Sequence, residues 1–415
     1  MSQINPQLLK YLKSPKTIRS HSNFVLDLAK NGDTLYFDFH AEKLEKAVSY
    51  VLNEIKRNYP EGNIPYHSRF RHLEMGGYNR LSLLQKNFSQ GDKYEWGKAL
   101  FEMIFISVLL DAGAGGQWSY HFIEEPYNEV FSRSEGLALA SLQMFRQGYF
   151  SSDPQDPYRV DHKGLSKVKL VDLNMGFQVR DDNPLVGLTG RLALLHGLGS
   201  TLANHPHGLG PTVRLGDVYE HLYKTAIRDE AGTLSCVAIF ESVLRHFGDI
   251  WPGGLSQHGC NLGDVGIHPL VKGPNGSDTF VPFHKLSQWL SYSLAEAFEI
   301  AGLKIIEVEQ LTGLPEYRNG GLLIDLGLLK IKDPSVLQKP HKPQSEFIVE
   351  WRALTVAILD LIADGVREFM GKTQSELPLA KVLQGGTWSA GRRIAKNLRP
   401  GGEPPIRIDS DGTVF

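Results

Sequence analysis

Apolar side chains recur along this chain mainly with the period of a helix. Phe347, Trp351, Leu354, Ile358, Leu361 and Gly365 follow one another at alternating steps of four and three, which lays them on one stripe of a helix packed against a core. The run WGKALFEMIFISVLLD, from Trp96 to Asp111, is apolar on nearly every side and predicts a central helix, ended by Gly113-Ala114-Gly115-Gly116. Further helices are expected from about Ala41 and over 283–301, 321–329 and 186–203. The last of these follows Asp182-Asn183-Pro184, with Asn183 suited to the N-cap and Pro184 to the first helical position. Strand signals are few. VKLVDL near Val168 and GFQVRD near Gly176 predict one small β-hairpin turning at Asn174-Met175-Gly176. Without any alternation of strand, helix and strand, a doubly wound sheet is disfavoured. The expected fold is mainly α: a single compact helical domain over 1–415 with a small β-hairpin and a weak seam near 150–175.

Composition narrows the function without choosing it. The chain has 415 residues, 41% of them hydrophobic and 22% charged, which is ordinary globular material able to enclose a deep pocket. A net charge of -2 gives no basic field for a nucleic-acid backbone, so a small-molecule partner is expected and a polynucleotide is not. Cys236 and Cys260 are the only cysteines, too few for a disulfide framework, and a reducing compartment follows. The first residues lack the apolar region of a secretory signal, and no stretch reaches the roughly 18 apolar residues of a membrane span. A cytoplasmic location with no membrane association is therefore expected.

Candidate chemistry gathers between Lys285 and Gly321. A long amphipathic segment carries Lys285 near its start, then breaks, and Glu316-Tyr317-Arg318 opens the next helix. At such a helix mouth the backbone N–H groups and the macrodipole favour an ionised carboxylate, and a nearby ammonium can steady a leaving group. From spacing alone, an ordinary first-turn acid and a solvated lysine are the commoner reading. Arg69, Arg71, His72 and Arg80 offer forks that match phosphate geometry, or form a charged exposed loop. Trp118, Tyr120 and Phe122 line a base or urea pocket or belong to the core. The long segment 252–276 holds His258, Cys260, Asp264 and His268, but their spacing fits no usual zinc site. It reads as a lid or as an ordered surface loop, and no metal or cofactor is expected.

At these residues the chain resembles a known family. Lys285, Leu311-Thr312 and Leu314-Pro315-Glu316-Tyr317-Arg318 resemble the queuosine 5′-phosphate N-glycosylase family of queuosine salvage, in which a Lys-bearing helix leads through Leu-Thr into Phe-Ala-Asp-Tyr-Arg. Here Glu316 replaces that Asp with one more methylene, and Asn319-Gly320-Gly321 departs from the residues that follow it. Other segments match in the same order: Arg19 with Phe24 and Val25, the apolar helix ending at Asp111 and leading to Trp118, the stretch from Ser134 to Pro154, the Asp182 turn with its following helix, and EFIVEWRALTVAILDLI. The whole chain, including TWSAGR and the terminal RPGGEPPIRIDSDGTVF, is also similar to an uncharacterised family linked to fungal uracil catabolism, a pathway in which ribosylurea is an intermediate.

Together the resemblances imply a DNA-glycosylase-like helical fold and cleavage of the bond between ribose C1′ and a urea-like nitrogen of a small riboside or ribotide. They imply catalytic roles for Glu316 and Lys285. Arg318, Tyr317, Asp182, Asp111, Trp118 and Arg71 would contact substrate. Two other readings stay open: a phosphoribosyltransferase, which lacks its expected Thr-Gly-Gly-Thr phosphate cradle here, and a helical metabolite-binding protein without catalysis.

Overall fold

The computed structural model describes residues 6–89, 91–111, 113–204, 213–228, 231–251, 254–257, 259–274 and 278–409. Helices dominate, and among the described residues the short strands associate only in pairs. By chain contacts the molecule divides into two units. The first comprises Met1–His67, Gly253–Trp289 and Glu307–Ser410, and the second Ser68–Pro252, Leu290–Ile306 and Asp411–Phe415. Residues 150–175 lie inside the second unit. No described helix is long and apolar enough to cross a membrane.

The first unit is organised by the helix Glu346–Met370, in which every residue from Phe347 to Leu359 is buried. Its burial is wider than the single predicted stripe because helices Pro15–Asn31 and Leu44–Asn58 both pack on it. Two charged groups inside this packing tie distant segments together. Glu350, fully buried, accepts the backbone N–H groups of Leu35, Tyr36 and Phe37 and pairs with His268 at 2.8 Å. Arg19 reaches Asp360 at 2.8 Å and donates to the carbonyls of Gln310 and Leu311, fixing the turn that leads to Thr312. Satisfying several acceptors with one guanidinium offsets much of the desolvation cost of this half-buried arginine.

The described part of 252–276 is held down rather than loose. Val265–Ile267 pairs antiparallel with Phe280–Pro282, and a Cβ on Gly266 would stand 2.4 Å from Val349 Cγ2. His268 adds its bond to Glu350. His258 lies outside the described residues, and among those described no group of three metal-ligating side chains forms.

The second unit is built on helix Lys93–Leu109, buried without interruption from Trp96 to Leu109 as its all-round apolar pattern predicts. The fully buried Glu102 inside it is answered by Arg214 at 2.7 Å and by the Gly216 N–H. A hairpin is present, but it joins Ser119–Glu124 to Tyr127–Ser132. The predicted one is a correction: Leu170–Gly176 is helical, because Asp172 Oδ2 caps the chain at the Lys169 N–H, 2.7 Å away, and the helix lies against Leu188–Asn204. Asn183 is likewise no N-cap. Its side chain bonds both the N–H and the carbonyl of Ser119 at the hairpin's start, and the helix begins at Leu188.

Candidate active site at the mouth of the Tyr317 helix

Glu316 is the N-cap of helix Tyr317–Asp325. Its Oε2 accepts the Arg318 N–H at 2.8 Å and its Oε1 the Asn319 N–H at 2.6 Å. The longer glutamate side chain thus uses one oxygen for each of two orphan donors, a task more often given to Asp, Ser or Thr. Pro315 and Leu314 before it are buried, and Gly320 after it lies flat on Trp351, whose indole N–H donates to the Gly320 carbonyl at 3.1 Å. Any side chain at Gly320 would meet that ring at 2.7 Å, so the helix can approach only with glycine there.

Lys285 is delivered by the opposite segment. It opens helix Lys285–Ile300, and one turn on Gln288 binds the chain that leads to Glu316. Gln288 Nε2 donates to Thr312 Oγ1 at 2.8 Å and to the Phe283 carbonyl at 3.0 Å, while the Thr312 N–H donates to Gln288 Oε1 at 2.7 Å. This two-way bond locks the start of one helix to the approach of the other. The start itself is set by Asp264. Its Oδ2 accepts the Lys285 N–H at 3.0 Å, and Arg352 grips both carboxylate oxygens at 2.8 and 2.7 Å while its guanidinium stacks 4.0 Å from the Phe283 ring. His284, just before Lys285, adopts a left-handed φ of 46°, a strained value for a non-glycine residue that the surrounding bonds impose.

These groups perturb one another. Burial pushes the Glu316 carboxyl above its ordinary range, outweighing the two backbone N–H groups and the positive charges of Lys285 and Arg318, which favour the anion. The helix mouth alone would have favoured ionisation, so burial reverses the sign expected from the dipole. Asp264 goes the other way. Burial would raise it, but the Arg352 fork, the Lys285 N–H and His284 bring it down to about 2. Burial also lowers His284 to about 4 against the pull of Asp264. At neutral pH Asp264 is therefore ionised and His284 neutral, beside a Glu316 carboxyl that burial holds above its ordinary range.

Arg318 is buried, donates to the Gly402 carbonyl at 2.8 Å and lies over the Tyr317 ring at 4.8 Å. Asn319 donates to the Leu314 carbonyl, and its buried Oδ1 has no hydrogen-bond partner among the described residues. Glu316, Lys285, Tyr317 and Arg318 thus all belong to the first unit.

The other four sequence candidates lie in the second unit. Asp111 pairs with the fully buried Arg69 at 2.9 Å and accepts from Ser134. Trp118 is buried, with its indole N–H on the Phe177 carbonyl at 2.9 Å. Asp182 is exposed and pairs with Arg180 at 3.0 Å. Arg71 binds Glu296 at 2.7 Å, and Ser68 Oγ donates to the same carboxylate at 2.6 Å. Burial pushes Glu296 up to about 7 despite these partners. Three open pockets among the described residues, of about 480, 560 and 750 Å³, are lined by other side chains than these catalytic candidates.

Sequence reasoning missed Arg352 and weighed Asp264 only as a metal ligand. The signal for Arg352 was a cation inside a run of otherwise apolar residues, which requires a partner when buried.

Comparison with known proteins adds a family. The family described as protein of unknown function (DUF1688) matches residues 11–415. A relative named Protein urg3 in Schizosaccharomyces pombe is 39% identical over 411 residues, covering 97% of this chain and 98% of the relative. Another, named Uracil catabolism protein 4 in Lachancea kluyveri, is 36% identical over 445 residues and covers both chains fully.

Proposed function

The chain belongs to the DUF1688 family, and from that membership we propose that it acts in uracil catabolism as an N-ribosyl hydrolase, cleaving the C1′–N bond of a small riboside or its 5′-phosphate, with ribosylurea as the model substrate. The observation that carries the reading is a buried carboxyl, Glu316, at a helix mouth where the charge of Lys285 acts on it. A carboxyl raised by burial and an ammonium stand on two segments bolted together through Gln288 and Thr312.

The chemistry follows from the charge that develops. As the C1′–N bond lengthens, electron density leaves the ring carbon and its neighbouring oxygen, and a fixed anion nearby stabilises that state more than the ground state. Ionised Glu316 supplies the anion. It also takes a proton from the attacking water, whose oxygen bonds to C1′. Lys285 gives a proton to the departing nitrogen and recovers one from Glu316, so ribosylurea and water become ribose and urea with no other reactant. Arg352 and Asp264 do not touch the reacting atoms in this scheme; they fix where Lys285 begins.

The test is a purified-protein incubation with ribosylurea and its 5′-phosphate, reading free urea and sugar by mass spectrometry. Release of both in equal amounts supports hydrolysis. Release of pyrophosphate from phosphoribosyl pyrophosphate and uracil would instead assign a transferase.

A further inference from the structure

Next to the charged pair stands an aromatic group that the scheme above does not use. Trp289 follows Lys285 by one helical turn and so projects from the same face. The His67 ring lies 6.5 Å from Trp289 and 5.7 Å from Trp388, tilted by 38° and 41°. Trp388 begins helix Trp388–Leu398, which packs on the Glu316-capped helix so closely that a Cβ on Gly391 would stand 2.2 Å from the Arg318 carbonyl oxygen. Trp388 thus lies three residues before one that touches the Arg318 backbone, and Trp289 four residues after Lys285.

Local structure places these rings with some care. The residues before Trp388, Leu383–Thr387, form a π-helical turn, a wide turn often found where a side chain must be re-aimed at a site. Its Gly386 lets that turn sit on the helix Leu44–Asn58, since a Cβ there would meet Val51 at 2.5 Å. Gln384 in the same turn donates its amide to Tyr59 Oη at 2.9 Å, which leaves its Oε1 to accept from His67 Nδ1 at 3.0 Å. That bond fixes the imidazole tautomer and its ring plane. His67 and Trp289 are buried, whereas Trp388 is half-buried, with the Arg392 guanidinium 5.5 Å from its ring centroid.

We propose that Trp388, backed by His67 and Trp289, is the face against which the planar, conjugated leaving group of the substrate stacks, a ureide or a pyrimidine ring, and so sets specificity for that half of the molecule. This rests on the reading of Glu316 and Lys285 as the sugar-side pair. A ribosyl substrate has a flat, amide-like half and a puckered, hydroxyl-bearing half, and the flat half gains most from stacking on an aromatic face. Glu316 and Lys285 serve the bond between the two halves.

The experiment measures binding, so it is separable from turnover. In a Glu316→Gln background, Trp388→Leu and Trp388→Phe are titrated calorimetrically with ribosylurea, with uridine and with ribose, and circular dichroism checks the fold. The expected result is that Trp388→Leu weakens ribosylurea and uridine by roughly tenfold or more, the scale of one base–aromatic stack, while Trp388→Phe stays within about threefold and ribose is unaffected. Equal affinity of the Leu variant and its parent, a matching loss for ribose, or no saturable binding of ribosylurea and uridine to the parent would each overturn the proposal. Trp388-dependent binding by a protein that never releases urea would keep this inference and remove the hydrolase reading; urea release without Trp388-dependent binding would do the reverse.

Discussion

At the scale of single residues, the account turns on the protonation of Glu316. Burial holds its carboxyl above the ordinary range, and the charge of Lys285 is among the forces opposing that rise. With ionised Glu316 as the proposed working form, kcat/KM should fall as pH drops through this raised pKa. Removing the ammonium in Lys285→Ala strips support from the anion, so the acid limb of the pH–rate profile moves to higher pH and the maximal rate drops. A limb that stays in place, or moves down, separates the two residues. Glu316→Gln keeps a cap acceptor, so it is expected to fold normally and to lose about two orders of magnitude or more in turnover. The placement of Glu316 at a helix mouth was legible in the sequence, since Pro315 cannot lie within the preceding helix and Glu-Tyr-Arg opens a new amphipathic run. The sign of its pKa was not legible, because burial is set by how the whole unit packs, with Trp351 seated on Gly320 just beyond it.

Elements were legible where one physical signal dominated. The helices Lys93–Leu109 and Glu346–Met370 announce themselves by unbroken apolar content and by a sustained stripe, and both formed where expected. The hairpin was misplaced because Val168, Leu170, Val171 and Leu173 suit either a strand or a short helix, and a single Asp172 cap decided between them. The true strand pair alternates buried Tyr120 and Phe122 with exposed His121 and Ile123, a period-two pattern read as a possible pocket wall rather than as a strand. Two predictions belong to this scale. Gly391→Ala puts a methyl 2.2 Å from the Arg318 carbonyl, a backbone atom that cannot swing away, so the two helices must part; about 1–3 kcal/mol of stability should be lost, seen as a lower denaturation midpoint. Asp264→Asn keeps an acceptor for the Lys285 N–H but breaks the ion pair with Arg352, leaving a buried guanidinium undercompensated; stability should fall by a few kcal/mol. A midpoint equal to wild type in either variant contradicts the packing described.

For the whole molecule, stability should depend on pH through Glu296 in the second unit. Its carboxyl is raised to about 7 in the folded chain from an ordinary 4.5, so the folded state holds a proton that the unfolded state has released. The stabilisation is complete below about pH 4.5 and is lost as pH climbs through about 7. Glu296→Gln removes this dependence, so the variant's melting temperature should gain on wild type across that window by a few degrees; a constant difference between pH 4.5 and 7.5 would contradict the assignment. Periodicity and charge indicate the class of the molecule, a helical protein with no basic field, but the joining of segments some 20 to 90 residues apart around Lys285 and Glu316 depends on Gln288, Thr312, Asp264 and Arg352, which no local pattern links. The central claim is that the residues around Glu316 break an N-ribosyl bond. It is tested most directly by incubating wild-type and Glu316→Gln protein with ribosylurea and its 5′-phosphate and quantifying urea and sugar: the account predicts equimolar release by wild type and at least about a hundredfold less by the variant, whereas no release, or equal release by both proteins, would contradict it.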